Sequence, residues 1–176
     1  MVKLRKMLGN YNDEHIIELM NLIDTQSKET ISKWCLDYAE EIILPIYQKY
    51  YPNDGRPKMA LDASRDWFLG LKKLPEVKHI ILHECHQAAR EADNNPAAQA
   101  AARTLGQASA CFHTPTHSLG LAFYGGAALA YDALGLEASE KEYQEYARNE
   151  VLKMTESLKA IAIENEPNKA KLKWNC

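Results

Sequence analysis

An all-α fold, a single multi-helix bundle of about six to eight helices, is what this sequence predicts. Three observations carry the prediction. Apolar residues recur at helical spacing in one segment after another. Capping and stop residues bracket those segments. No alternating apolar run and no two-residue turn marks a strand or a hairpin.

The first helix is read over 13–24, where Ile16, Ile17, Leu19, Met20 and Ile23 share one face. Ser27 is placed to cap a second helix that runs through Trp34, Leu36, Tyr38 and Ile42 to about Tyr51, and Pro45 should kink or divide it. The run Pro52-Asn53-Asp54-Gly55-Arg56-Pro57 is the strongest turn in the chain, and Pro57 suits the first position of the next helix. That helix carries Met59, Ala60, Ala63, Trp67 and Phe68 and ends near Gly70. Pro75 opens another, which reaches about Asp93 before Asn94-Asn95-Pro96 breaks and restarts the chain. From Pro96 to about Leu134 the sequence is dense in Ala and Gly, interrupted at Pro115. Small side chains let helix backbones approach closely, so this Ala/Gly-rich pair is expected at the centre of the bundle. Gly135 is a C-terminal stop, and Ser139 with Glu142 forms a capping box for a last helix through Tyr143, Tyr146, Val151, Met154 and Leu158. No linker or repeat divides residues 1–176, which are read as one helical domain.

Composition excludes several classes. With 46% apolar and 26% charged residues, the chain has globular rather than disordered composition. No apolar run approaches the roughly 20 residues a bilayer span requires, and the stretch 120–136 is broken by Gly125, Gly126 and Asp132. The basic start Lys3-Leu4-Arg5-Lys6 is followed by polar Asn10-Tyr11-Asn12-Asp13-Glu14 where a signal peptide needs an apolar core. A cytoplasmic protein with no membrane partner is therefore expected. Cys35, Cys85, Cys111 and Cys176 are scattered and are read as reduced thiols in or near the core. The net charge is −3 and no predicted face collects Lys and Arg, so a nucleic-acid partner is not expected.

The chemistry-bearing residues concentrate in the middle helices, from about Asp54 to Tyr124. His79, His83, His86 and Arg90 recur at spacings that bring them within roughly 60° on a helix, and His113 and His117 lie one turn apart. Histidines so spaced on facing helices can build a metal site, for which His86, His113 and His117 are the candidates. The same spacing also describes an ordinary wet face, because Ile80, Ile81, Leu82, Cys85, Ala88, Ala89 and Ala92 occupy the opposite arc. Glu84 falls at the edge of that arc, and a carboxylate entering it would need a partner. Nucleotide-binding glycine loops, a zincin helix and a nucleophile elbow are all missing. In His83-Glu84-Cys85-His86 the second histidine comes one residue too early for a zincin. A thiol nucleophile at Cys85 or Cys111 has no visible electropositive setting.

These residues also carry a resemblance. Pro52-x-Asp54-x-Arg56-Pro57 with Ala60, Trp67 and Gly70 forms a first block, and His86-x-Ala88-Ala89-Arg90 a second. Ala102-Arg103-x-x-Gly106-x-Ala108 leads into the third, His113-x-x-x-His117-x-x-Gly120-x-Ala122-x-Tyr124. In order and spacing they resemble the bacterial immunity proteins of polymorphic toxin systems that carry an "immunity protein five"-like domain, over about 34–130. The N-terminal and C-terminal helices read as additions to that core. Two positions depart from the pattern: Gln107 stands where a histidine is expected, and Pro115 interrupts a helix usually free of proline.

The resemblance implies an all-helical protein that protects its producer by binding a cognate toxin, without catalysis and without a cofactor. It further implies that Asp54, Arg56, His86, Arg90, Arg103, His113 and His117, with Tyr124 beside them, form a buried polar network or line a small-ligand pocket. Asp54 with an arginine is the expected internal pair. The acidic runs Asp37-Glu40-Glu41 and 137–150 would suit a basic toxin, although they also read as solvated helix faces. Two other readings stand beside this one. One is a helical-bundle enzyme that binds a divalent metal or small ligand through His86, His113 and His117; the other is a structural bundle that forms a homodimer.

Overall fold

The computed structural model describes residues 4–174. Nine α-helical segments follow one another: α1 (Glu14–Ile23), α2 (Lys28–Tyr38), α3 (Leu44–Tyr50), α4 (Arg56–Phe68), α5 (Leu74–His79), α6 (His86–Glu91), α7 (Pro96–Ala110), α8 (Gly126–Leu134) and α9 (Glu140–Ile161). Three π turns interrupt or extend them. Ala39–Ile43 joins α2 to α3, Ile80–Cys85 joins α5 to α6, and Leu121–Gly125 leads into α8, so the segments form seven continuous helices. Among the described residues there is no strand, only an isolated antiparallel bridge between Ser27 and Lys169. The fold is the all-α bundle expected from the helical periodicity.

Most helix ends follow from local chemistry. Ser27 Oγ accepts the Thr30 N–H at 3.2 Å, Asn95 Oδ1 accepts that of Ala98 at 3.0 Å, and Ser139 and Glu142 complete their capping box. Gly135 ends α8 at φ +69°, a conformation that favours glycine.

Pro45 behaves differently from the sequence expectation. The helix is not divided, because the Leu44 N–H donates five residues back to the Ala39 carbonyl and Pro45 then enters the first turn of α3, where its missing N–H is harmless.

α7 is the axis of the bundle. α2, α3, α4, α6, α8 and all three π turns pack against it. Its alanines make this possible, since Ala98, Ala101 and Ala102 are fully buried and neighbouring helices sit directly on the backbone. Most polar residues inside the bundle are satisfied locally, Ser118 Oγ being the exception among the described residues. Thr104 and Ser109 donate to the carbonyls of Ala100 and Leu105, and Ser64 of α4 donates across to Ser109 O at 2.7 Å. α8 and α9 approach closely as well, for a side chain at Gly126 would meet Ala147 Cβ at 3.2 Å.

The two ends of the chain act as straps. Residues 4–13 cross α8 and the π turn before it, where Tyr131 donates to Arg5 O at 2.6 Å and the Leu8 N–H to Phe123 O at 3.2 Å. The segment after α9 returns over the turn between α1 and α2, where Glu166 lies buried. Cys35, Cys85 and Cys111 are free and buried, with Cys35 and Cys111 sulfurs 3.3 Å apart; Cys176 lies outside the described residues. No described helix is long and apolar enough to cross a membrane.

Candidate functional site

The turn before α4 positions the first pair. Gly55 is the N-cap of α4, and Asp54 reaches over it to accept the Arg56 N–H at 3.1 Å. The Arg56 guanidinium grips the same carboxylate, Nε to Oδ1 at 2.9 Å and one terminal nitrogen to Oδ2 at 2.7 Å. Tyr47 of α3 donates to Asp54 Oδ2 at 2.7 Å, and the Arg56 guanidinium continues to Glu91 of α6 at 2.6 Å. Gln87 then donates to Glu91 and accepts both contacts from Arg90, at 2.8 and 2.6 Å. One hydrogen-bonded chain thus ties α3, α4 and α6 together, from Tyr47 to Arg90.

Arg56 sets the ionisation of this chain. Its hydrogen bonds hold the Asp54 carboxyl at about 2, against a burial effect of opposite sign, with Tyr47 assisting. The Tyr47 hydroxyl is pushed up, first by burial and then by its bond to Asp54. A carboxyl depressed in the folded state contributes stability that is complete above its unfolded value, near 4, and lost as pH falls toward 2. Asp54→Asn should therefore lower stability at pH 7 by on the order of 1 kcal/mol, given solvent screening of a partly exposed pair. Urea denaturation between pH 7 and pH 2 checks the sign: the deficit shrinks below about pH 4, and a deficit constant across that range counts against the ion pair.

The second cluster forms along α7. His86 packs against α7 at Gly106, where an added Cβ would come within 2.7 Å of the ring. Arg103 faces the Tyr124 ring at 5.9 Å. Gln107 hydrogen-bonds His117 Nδ1, and Gly120 is packed so tightly on Gln107 that an added Cβ would lie 2.4 Å from Gln107 Cβ. His113 Nδ1 is engaged by Ala110 O at 2.6 Å. Burial lowers His86 first, with Arg90 and Arg103 adding to it; burial likewise lowers His117, followed by His113 and His86. Both shifts favour the neutral ring, and the titratable groups that add to burial are arginines or other imidazoles.

The eight candidate residues thus fall into two groups. Asp54, Arg56 and Arg90 belong to the hydrogen-bonded chain; His86, Arg103, His113, His117 and Tyr124 gather around α7. α6 links them, because Arg90 and His86 lie one turn apart and Arg90 acts on His86 electrostatically. His79 and His83 do not join. They are exposed, with rings 4.5 Å apart. The reason is the π turn Ile80–Cys85: its extra residue rotates everything after it by about 100°, turning His86 inward and away from that stripe. Glu84, within the same turn, is half-exposed rather than sealed in the core.

The metal-binding alternative is not supported. Among the described residues no group of three His, Cys, Asp or Glu side chains is placed to hold a metal ion. The His113 and His117 rings stand nearly parallel, 16° apart at 6.5 Å, and each has its Nδ1 already engaged. A thiol nucleophile fares no better. Cys85 and Cys111 are fully buried, and burial pushes the Cys85 thiol up to about 12, with Asp54 assisting. In the acidic run near α2, Asp37 pairs with Lys33 and Arg65 and Glu40 with Arg65 and Lys58, so two of its three carboxylates are engaged.

Tyr47, Gln87 and Glu91 escaped the sequence reading, as did the role of Gln107. A partial signal existed for two of them. Gln87 and Glu91 stand four apart on one helix face with Arg90 between them, a spacing at which such side chains interact. Tyr47 and Gln107 act through contacts that spacing along the chain does not show.

The fold is an all-α bundle whose two polar clusters lie against its central helix and the helices packed on it. Residues 21–156 match the family described as "Imm-5 like putative immunity protein", and the chain belongs to that family. The match extends beyond the blocks legible in the sequence and takes in most of α9. No curated protein and no solved structure matches the chain.

Proposed function

We propose that this protein neutralises a cognate bacterial toxin by binding it in the cytoplasm of the producing cell, with no chemistry of its own. Family membership over residues 21–156 is the observation that carries the reading. The arrangement of the polar residues supports it. Asp54 and Arg56 brace α4 against α3 and α6, whereas His86, Arg90, Arg103, His113, His117 and Tyr124 surround the one accessible stripe of α7 and form the recognition surface. Arg and Tyr are residue types that dominate binding energy at protein interfaces.

Co-expression tests the proposal. Induction of the toxin encoded beside this protein should arrest growth, and co-induction of this protein should restore it. Arg90→Glu with Arg103→Glu should abolish the rescue while circular dichroism stays unchanged. Continued arrest in the presence of the wild-type protein overturns the toxin reading. Full rescue by the charge-reversed protein would move the recognition surface elsewhere.

A further inference from the structure

Of the fifteen residues of α7, eleven are buried; the remaining four, Pro96, Gln99, Arg103 and Gln107, are spaced three and four apart and form a single stripe. α6 flanks the stripe with His86 and Arg90, and the π turn Leu121–Gly125 flanks it with Tyr124. His117, bonded to Gln107, stands toward its C-terminal end. Toward the N-terminal end the stripe opens into a cavity of about 480 Å³ that Gln99, Arg103 and the strap residues Leu4 and Arg5 help to line.

The charge in this trough is unbalanced. Arg103 is half-buried yet makes no hydrogen bond or ion pair among the described residues; the Tyr124 ring is its one polarisable neighbour. Arg90 donates only to the neutral amide oxygen of Gln87. The carboxylates that could answer them are committed elsewhere, Glu91 to Arg56 and Gln87, and Asp54 to Arg56 and Tyr47. Asp93 and Glu137 line the same cavity as Arg103, as do Lys6 and the Glu140-paired Arg5, and among the described residues neither carboxylate is paired with Arg103. Facing His86 are Arg90 from its own helix and Arg103 from α7, while His113 and His117 lie beyond; no carboxylate acts on it. Half-buried Arg103 and exposed Arg90, both with spare donors, stand beside imidazoles that burial holds toward the neutral form, a local excess of positive charge in a chain of net charge −3.

We propose that this trough is an oxyanion seat in which Arg103 and Arg90 grip a carboxylate or phosphate group, with His86 as the adjoining polar wall. The planar fork of each guanidinium suits two-point contact with either group. The inference builds on the recognition surface of the proposed function, but its test contains no toxin, so the two readings stand or fall separately.

The test follows the ring protons of His86 by NMR during pH titration of the full-length protein, at constant ionic strength set with chloride. Inorganic phosphate and glutarate are the two probes. An anion seated between the arginines offsets the charges that depress His86, so its midpoint should rise by about half a pH unit or more. A rise with phosphate alone assigns a phosphate seat, a rise with glutarate alone a carboxylate seat, and a rise with both a general oxyanion seat. Arg103→Gln should abolish the rise, and Arg103→Lys should retain part of it, with thermal midpoints lowered only slightly, because among the described residues Arg103 makes no hydrogen bond or ion pair and loses only its contact with the Tyr124 ring. An unchanged His86 titration with both anions overturns the proposal, as does an equal rise in Arg103→Gln.

Discussion

Replacing Gly120 with alanine should destabilise the protein by about 1–3 kcal/mol, although alanine is ordinarily the better helix residue. The backbone at Gly120 has φ −59°, which any residue adopts, so conformational strain contributes nothing. The loss comes from contact. The new methyl would lie 2.4 Å from Gln107 Cβ and 2.7 Å from Gln107 Cγ. The nearer of these is anchored directly to the α7 backbone, so the helix and the turn must separate rather than a side chain swing aside. Because Gln107 holds His117, the same substitution should free that ring and shift its titration. Gly55→Ala is the control, for nothing lies within 4 Å of a Cβ there and φ is −84°. Urea denaturation of the two variants checks the contrast; equal stabilities would mean that α7 and the turn at Gly120 yield easily.

Glu166→Ala should cost about 2 kcal/mol and loosen the C-terminal strap. Glu166 is 8% exposed, and its carboxylate accepts from the Ser27 N–H at 2.7 Å, Ser27 Oγ at 2.8 Å and Thr30 Oγ1 at 2.5 Å. A charge at that place also complements the N-terminal end of α2. Burial alone would raise the Glu166 pKa, yet the bonds from Thr30 and Ser27 bring it below its usual value. The same turn is held by Gln26, which exchanges hydrogen bonds with Ile163 at 2.9 and 3.2 Å and accepts the Ala170 N–H at 2.8 Å. Removing Glu166 leaves the buried Thr30 hydroxyl without its acceptor, so Glu166→Gln, which keeps one oxygen, should recover part of the loss. Hydrogen exchange on residues 163–170 reports the detachment directly; full protection in the alanine variant would show that Gln26 alone holds the strap.

Much of this architecture was legible before any coordinates. Ser27, Asn95 and Ser139 announce helix starts because a cap acts within three residues of itself. The Ala/Gly-rich stretch from Pro96 announced a central helix because small side chains serve close packing. Asp54 was legible as the partner of an arginine, and the fold supplies Arg56 from the same turn. Less visible were the three π turns, since five-residue hydrogen bonding and four-residue hydrogen bonding suit the same sequence and only packing around α7 selects between them. The π turn before His86 therefore separated a histidine stripe that even periodicity drew as one. Gln107 illustrates the same limit. Against the family pattern it stood in the place of a histidine, whereas in the fold it is the partner of His117, ten residues away around a bend.

The sequence by itself determined the all-α class, the helix ends and the family, because all three rest on short-range patterns: caps, spacing and local motifs. The tertiary structure alone decided which polar residues meet. Whether Arg56 reaches Glu91, whether His86 faces Gly106 or water, and whether Arg103 keeps its donors free depend on how helices rotate and dock. Those rotations are set by steric contact between segments far apart in the chain, which no local pattern encodes.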